Sequence, residues 1–236
     1  LYLCHAHLNY GVSCSDIFST IEQRLTEIRD ELGLSYGVEA ELKELERTLS
    51  KDTPVDLLVS RGEYFTSRLM AEYLGYTFVD AADCVIFSFD GSIDYERSYA
   101  LIAEAAEKYG RIVIPGFYGR VSTGKIKVMT RGGSDITGSL AAVAVNADVY
   151  ENWTDVSGIL MADPRIVDNP EPIKKITYAE LRELAFMGAT VLHEESVQPV
   201  REKGIPLNIR NTNRPQDPGT MIVGNIDREN SDDRFI

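Results

Sequence analysis

Arg131-Gly132-Gly133-Ser134-Asp135 opens an apolar helix, and a short way on Ala147-Asp148-Val149-Tyr150-Glu151-Asn152-Trp153 runs into Thr154-Asp155-Val156-Ser157-Gly158 and then Ala162-Asp163-Pro164-Arg165. A helix followed by a strand that ends in a hydroxyl and a carboxylate is a building unit of α/β folds, in which ligands collect at the carboxyl ends of strands. Residues 147–153 read as a buried strand despite the interposed Asp148 and Glu151. Adjacent glycines let the backbone approach a ligand where a Cβ would collide, and the N–H groups that start the following helix point at whatever anion sits there. Arg131 adds a permanently charged fork suited to a carboxylate or phosphate. Asp135 sets a carboxylate in the same cationic surroundings, where it can orient a lysine or a metal ion. A Gly-Gly-Ser turn also serves as a plain helix cap, and taken alone this first segment leaves that reading open.

Upstream, Ile17, Ile21, Leu25, Ile28 and Leu32 recur at helical spacing, and Leu42, Leu45 and Leu49 repeat the pattern after the break at 33–37. This predicts a helical hairpin with a charged outer face, solvated or turned toward a partner subunit. Ser60 reads as the cap of a helix that carries Arg61, Glu63 and Arg68 and continues to Leu74; residues 76–80 and 84–87 read as strands, 93–109 as a helix and 111–115 as a short β-rich run. Residues 121–130 suggest a hairpin. Strands alternating with helices from there to Gly204 imply crossover connections and a largely parallel sheet.

Asp and Glu total 37 against 24 Lys and Arg, a formal net charge of −13, which disfavours binding to a phosphate backbone. With no apolar run long enough to cross a bilayer and no signal-peptide flank, the expectation is a cytoplasmic protein that binds neither nucleic acid nor membrane. Cys4, Cys14 and Cys84 do not form a disulfide framework. Cys4-His5-Ala6-His7 with Cys14 has residue types that suit zinc, but its spacing matches no common zinc motif, and Leu1, Leu3, Leu8 and Tyr10 read as a helix packing its apolar side. No metal ligands are assigned.

From about residue 55 to 223 the chain resembles the aspartate kinases of the amino acid kinase superfamily. The blocks that carry the resemblance are Leu58-Val59-Ser60-Arg61-Gly62-Glu63, Pro115-Gly116-Phe117, Arg131 through Asp135, Trp153 through Gly158, Ala162 through Val167, Met187-Gly188-Ala189-Thr190-Val191-Leu192-His193 and Asp217-Pro218-Gly219-Thr220. The resemblance implies a three-layer αβα sandwich with a largely parallel central sheet, over a catalytic domain spanning 1–224. Residues 225–236 would lead toward regulatory domains beyond this stretch. It implies phosphorylation of the side-chain carboxylate of L-aspartate with ATP and Mg2+, on the route to lysine, threonine and methionine, in a homo-oligomer.

By the same resemblance, Arg131, Gly132, Gly133 and Ser134 hold the α-carboxylate of the substrate, Glu63 its α-ammonium, and Phe117 forms a wall of the pocket. Asp135 organises catalytic lysines. Thr154, Asp155, Leu160, Arg165 and Thr190 belong to the ATP site, with Arg165 on phosphate. Read without the family, Glu63 lies in the first turn of a helix, where it favours the dipole, and Asp155 is a strand-end turn. Trp153 reads as core. The family pattern departs in three places: nothing matches the front Lys-Phe-Gly-Gly loop, Thr190 stands where a lysine is usual, and Leu160 where a tyrosine is common. Lys174, Lys175 or Lys203 are candidates to replace the missing charge. His193 reads as structural, because a carboxylate that attacks ATP has no proton to lose. The competing functions are a glutamate or carbamate kinase of the same fold, and a nucleotide-binding subunit without turnover.

Overall fold

The computed structural model describes residues 1–162, 166–168, 170–186, 192 and 194–226. The chain divides into two compact units, Leu1–Thr130 and Arg131–Ile236.

The first unit begins with α1 (Tyr2–Asn9), α2 (Ser15–Glu31), α3 (Val38–Thr48) and α4 (Val55–Leu74). Phe18 and Leu25 of α2, Val38 and Leu42 of α3, and Leu58, Phe65 and Leu69 of α4 recur at helical spacing and meet in one buried cluster with Cys4 and Cys14. The expected hairpin is therefore present as α2 and α3. It is tied to α4 by Glu72, whose carboxylate accepts from Ser35 N–H (2.7 Å), Ser35 Oγ–H (2.6 Å) and Tyr36 N–H (2.9 Å).

The zinc-like residues belong to this packing. Cys4 and Cys14 are buried, the Cys14 thiol donates to the Cys4 carbonyl at 3.4 Å, and burial pushes the Cys4 thiol up to about 11. The apolar side proposed for α1 holds only in part: Leu1 and Leu8 pack on the cluster, whereas Leu3 and Tyr10 are exposed. Cys4 and Leu8, one turn apart, share the side of α1 that packs on the cluster, and residues 3 and 10 lie off that side.

Ser60 does not cap α4. The helix starts after Pro54, and Ser60 lies inside it, buried, with its hydroxyl donating to the Leu57 carbonyl at 2.8 Å. The apolar stripe runs back through Leu58 and Val59, so burial carries the helix a turn and more beyond the residue whose type suggested a start. Gly75, in the left-handed region, ends it.

After α4 come β1 (Thr77–Phe78), α5 (Ala81–Cys84), β2 (Ile86–Phe87), α6 (Tyr95–Tyr109), β3 (Ile112–Val113), β4 (Tyr118–Val121) and β5 (Ile126–Val128). Cys84, expected in a strand, closes α5, because Asp80 caps that short helix by accepting from Ala82 N–H. Strands β1 and β3 pair in parallel, as do β2 and β4, and β4 returns through β5 as an antiparallel hairpin.

The second unit contains α7 (Gly133–Ala144), β6 (Tyr150–Thr154), β7 (Lys175–Thr177), α8 (Tyr178–Phe186), α9 (Glu194–Lys203), β8 (Leu207–Asn211) and β9 (Thr220–Val223). Its sheet runs β6-β8-β9-β7, with β6–β8 and β7–β9 parallel and β8–β9 antiparallel. Parallel pairing thus predominates across the described strands, as the alternation of elements predicted. Helix α7 packs closely on α9, where buried Ser139 donates to the Ser196 carbonyl at 2.7 Å.

Strand β6 is shorter than expected and only half-buried, since it forms one edge of its sheet and alternates exposed with partly covered residues. Trp153 is consequently not core. It is 42% exposed, and the Arg210 guanidinium lies 4.6 Å above its ring, held there by Glu151 at 3.0 Å and by the Pro215 carbonyl at 2.7 Å.

Candidate active site

In the second unit the site is built where α7 begins. Gly132 is the N-cap, with φ 56° in the left-handed region that favours glycine, and no side chain caps the helix. The first helical hydrogen bond runs from Ile136 N–H to the Gly132 carbonyl, which leaves the preceding N–H groups of the turn directed outward. Ser134 lies inside the helix, and the capping position of the plain-turn reading is taken by Gly132. Arg131 and Ser134 are exposed beside these donors. An open helix N-terminus next to a guanidinium is suited to a carboxylate or phosphate.

Asp135, in the first turn, is anchored from β6. Tyr150, Asn152 and Thr154 share one face of that strand. Asn152 Nδ2 donates to Asp135 Oδ1 at 2.8 Å and to the Tyr150 hydroxyl at 3.2 Å, while Tyr150 O–H reaches the Asp135 carbonyl at 3.4 Å. Burial pushes the Tyr150 phenol up to about 12, so it remains a neutral donor near neutral pH. Helix and strand approach this closely because residue 138 is glycine: a Cβ there would collide with the Tyr150 hydroxyl and lie 2.7 Å from Cζ. Among the described residues Asp135 has no cationic partner, so the lysines it was expected to organise are not seen beside it.

At the end of β6, Thr154 Oγ1 donates to Asp155 Oδ1 at 3.3 Å, and the Thr154 carbonyl accepts from both N–H and Oγ–H of Thr212. The loop that follows is fixed by side chains far away in sequence. Ser157 Oγ donates to Asp217 Oδ2 at 2.7 Å and accepts from Asn211 Nδ2 at 2.9 Å; buried Thr220 Oγ1 accepts from Ile159 N–H at 2.8 Å and donates to the Ile173 carbonyl at 2.6 Å. Gly219 permits this closure, because at φ 74° a Cβ would collide with the Ile209 carbonyl. Leu160 leaves the loop 37% exposed, bridged to Pro172. Lys174 and Lys203 are exposed and Lys175 is half-buried in β7.

In the first unit Glu63 is exposed on α4, two turns in from Val55, and forms no ion pair among the described residues. The helix-dipole explanation for it therefore fails, since that effect fades after the first turn. Phe117 has φ 71°, a strained conformation for a residue with a Cβ, and its carbonyl accepts from Met129 N–H at 2.8 Å. Arg165, Thr190 and His193 lie outside the described residues, as do 187–189 and 191.

Several partners were missed from the sequence. The Tyr150 and Asn152 link to Asp135 was available in principle, because period-two alternation from Thr154 puts all three side chains on one face. Ser157, Asn211 and Asp217 carried no such signal, being joined only across the folded chain.

Residues 16–211 match the model of the amino acid kinase family. The chain belongs to that family, and its fold is the α/β fold of the aspartate kinases within it. It is 33% identical over 232 residues to aspartokinase 3 of Bacillus subtilis, which covers 92% of this chain and 51% of that protein. The crystal structure of the Clostridium acetobutylicum aspartate kinase superposes with a TM-score of 0.88 at 47% identity, over 95% of this chain and 50% of the other. E. coli aspartokinase III in complex with aspartate and ADP gives a TM-score of 0.68 at 26% identity, over 88% and 47% of the two chains. The chain thus spans about half the length of the relatives it matches. Among the described residues no helix is long and apolar enough to cross a membrane.

Proposed function

We propose that residues 1–224 form the catalytic domain of an aspartate kinase, with 225–236 as a linker, in a cytoplasmic homo-oligomeric enzyme. The observation that carries this reading is the likeness to the Clostridium acetobutylicum aspartate kinase, at 47% identity over 95% of this chain. The aspartate complex of E. coli aspartokinase III supports the same acceptor.

In the proposed reaction a β-carboxylate oxygen of L-aspartate attacks the γ-phosphorus of ATP. The new P–O bond gives 4-phospho-L-aspartate, and the bond to ADP breaks. No proton has to be removed, so the protein's task is positioning and charge. In the second unit, Arg131, Ser134 and the open turn at Gly132-Gly133 are assigned to the α-carboxylate; in the first, Glu63 is assigned to the α-ammonium and Phe117 to an apolar contact with the substrate. Asp135, fixed by Asn152, orients cations toward the transferring phosphoryl. Thr154, Asp155 and Leu160 border the nucleotide, and Arg165 and Thr190 are assigned to its phosphates. Magnesium is assigned to the nucleotide, as MgATP.

Steady-state kinetics on the whole protein, with each substrate varied in turn, test the assignment. Removing Glu63 or Arg131 leaves a substrate charge unpaired, at a cost of about 2 to 5 kcal/mol. Glu63→Gln and Arg131→Ala should therefore raise the aspartate KM by roughly 30-fold to several thousand-fold with the ATP KM nearly intact, and Asp155→Ala should do the reverse. Collapse of ATP binding in Glu63→Gln with aspartate unaffected would refute it.

A further inference from the structure

Phe117 occupies the left-handed region at φ 71°, and a residue with a Cβ stays there only when its surroundings over-determine it. The surroundings that do so begin at the next residue. Tyr118 is fully buried, and its hydroxyl donates to Asp80 Oδ1 at 2.7 Å. Gly119 lies so close to the Val85 carbonyl that a Cβ would collide with it. The Tyr118 ring is also met from α4, where the Arg61 guanidinium lies 5.4 Å from its centroid and 4.5 Å from that of Tyr64.

Arg61 forms no ion pair with a carboxylate among the described residues. Its Nε and Nη2 donate to the Ser60 hydroxyl at 3.2 and 3.1 Å, and that hydroxyl is itself anchored to the Leu57 carbonyl. The guanidinium is thereby held in place from its own helix, with its cationic face given to two aromatic rings. A planar, permanently charged group suits that position, and an ammonium does so less well.

Glu63 lies two residues further along the same helix. We propose that Arg61 is a positioning residue for the acceptor pocket, bracing the Tyr118 ring from α4 and so fixing the strained Phe117 backbone relative to the helix that carries Glu63. This inference rests on the reading of Glu63 and Phe117 as aspartate contacts.

The test is steady-state kinetics and thermal unfolding of the whole protein with Arg61→Met, Arg61→Lys, Phe117→Ala and the Arg61→Met/Phe117→Ala pair. Arg61→Met should raise the aspartate KM about 3- to 30-fold, the range of a cation–aromatic contact at tenfold per 1.4 kcal/mol, with kcat and the ATP KM near those of the parent. Arg61→Lys should recover part of the loss. In the Phe117→Ala background Arg61→Met should add little, because both changes act on the same wall. An unchanged aspartate KM in Arg61→Met beside a raised one in Phe117→Ala overturns the inference alone, and a lowered melting temperature there would mark Arg61 as purely structural. Unchanged KM in both overturns the assignment of Phe117 to the pocket, and the inference falls with it. If Arg61→Met does not fold, Arg61→Lys carries the same comparison.

Discussion

Gly138→Ala separates the stability of α7 from the placement of its first turn. The new Cβ would lie 2.7 Å from Tyr150 Cζ and 2.8 Å from Cε2, and would collide outright with the hydroxyl. An ordinary carbon–carbon contact is about 3.5 Å, so helix and strand must part by roughly 0.8 Å or the ring must turn. Either movement disturbs the hydroxyl that Asn152 uses at 3.2 Å, and with it the 2.8 Å bond from Asn152 to Asp135. Overpacking of this kind costs about 1–3 kcal/mol, while alanine in place of glycine within a helix returns up to about 1 kcal/mol. The net loss of stability should be about 0–3 kcal/mol, measurable by urea denaturation. A misplacement approaching 1 Å at a catalytic group can cost about 100-fold in rate, so kcat should fall far more than stability does. Parental kcat together with raised stability would show that α7 and β6 do not approach as closely as the structure has them, and the argument for a glycine at 138 would be lost.

Thr220→Val keeps the shape of a buried side chain but orphans Ile159 N–H and the Ile173 carbonyl; at about 1–3 kcal/mol for each buried group left unsatisfied, urea denaturation should show a clear loss, and a change within error would mean that water replaces the hydroxyl. The second of these predictions concerns acid. The Ser35 hydroxyl, with the N–H groups of Ser35 and Tyr36, holds the Glu72 carboxyl below the usual carboxylate range. A depressed pKa contributes stability that is complete above the unfolded value of roughly 4.3 and is lost as pH falls through the lower folded value. Glu72→Gln should therefore be less stable than the parent near neutrality, with the difference shrinking in denaturation curves taken progressively below that pH; a difference that stays constant would place the effect in packing.

Much of the fold was legible because it depends on periodicity. The spacing of Ile17, Ile21, Leu25 and Ile28 gave α2, and the segment from Arg131 to Asp135 gave the start of α7 within a residue or two. Where a single residue type was used as punctuation, burial overrode it. Ser60 has the chemistry of a cap, yet the apolar stripe through Leu58 and Val59 continues the helix back to Val55. Trp153 failed for the opposite reason: its size argues for burial, but β6 lies at a sheet edge, and an edge position is decided by strand order, which a single sequence does not display.

The candidate site divides along the same line. Gly132, Ser134 and Asp135 are proposed because one short stretch carries them together, and Thr154-Asp155 because a strand ends there. The groups that hold these residues still are scattered: Tyr150 and Asn152 behind Asp135, Asp217 and Asn211 behind Ser157, Tyr118 behind Phe117. Each lies on a different element from the group it supports or next to it in a strained turn, and each acts through one hydrogen bond or one ring contact. A substrate imposes its own geometry on the residues that touch it, so those residues cluster in recognisable blocks. Supporting residues answer only to the backbone around them, and that backbone has to be folded before their partners can be named. This is why kinetic effects at Gly138 and Arg61, neither of which is proposed to touch aspartate or ATP, discriminate more sharply among structural explanations of the site than further substitutions at its contacts would.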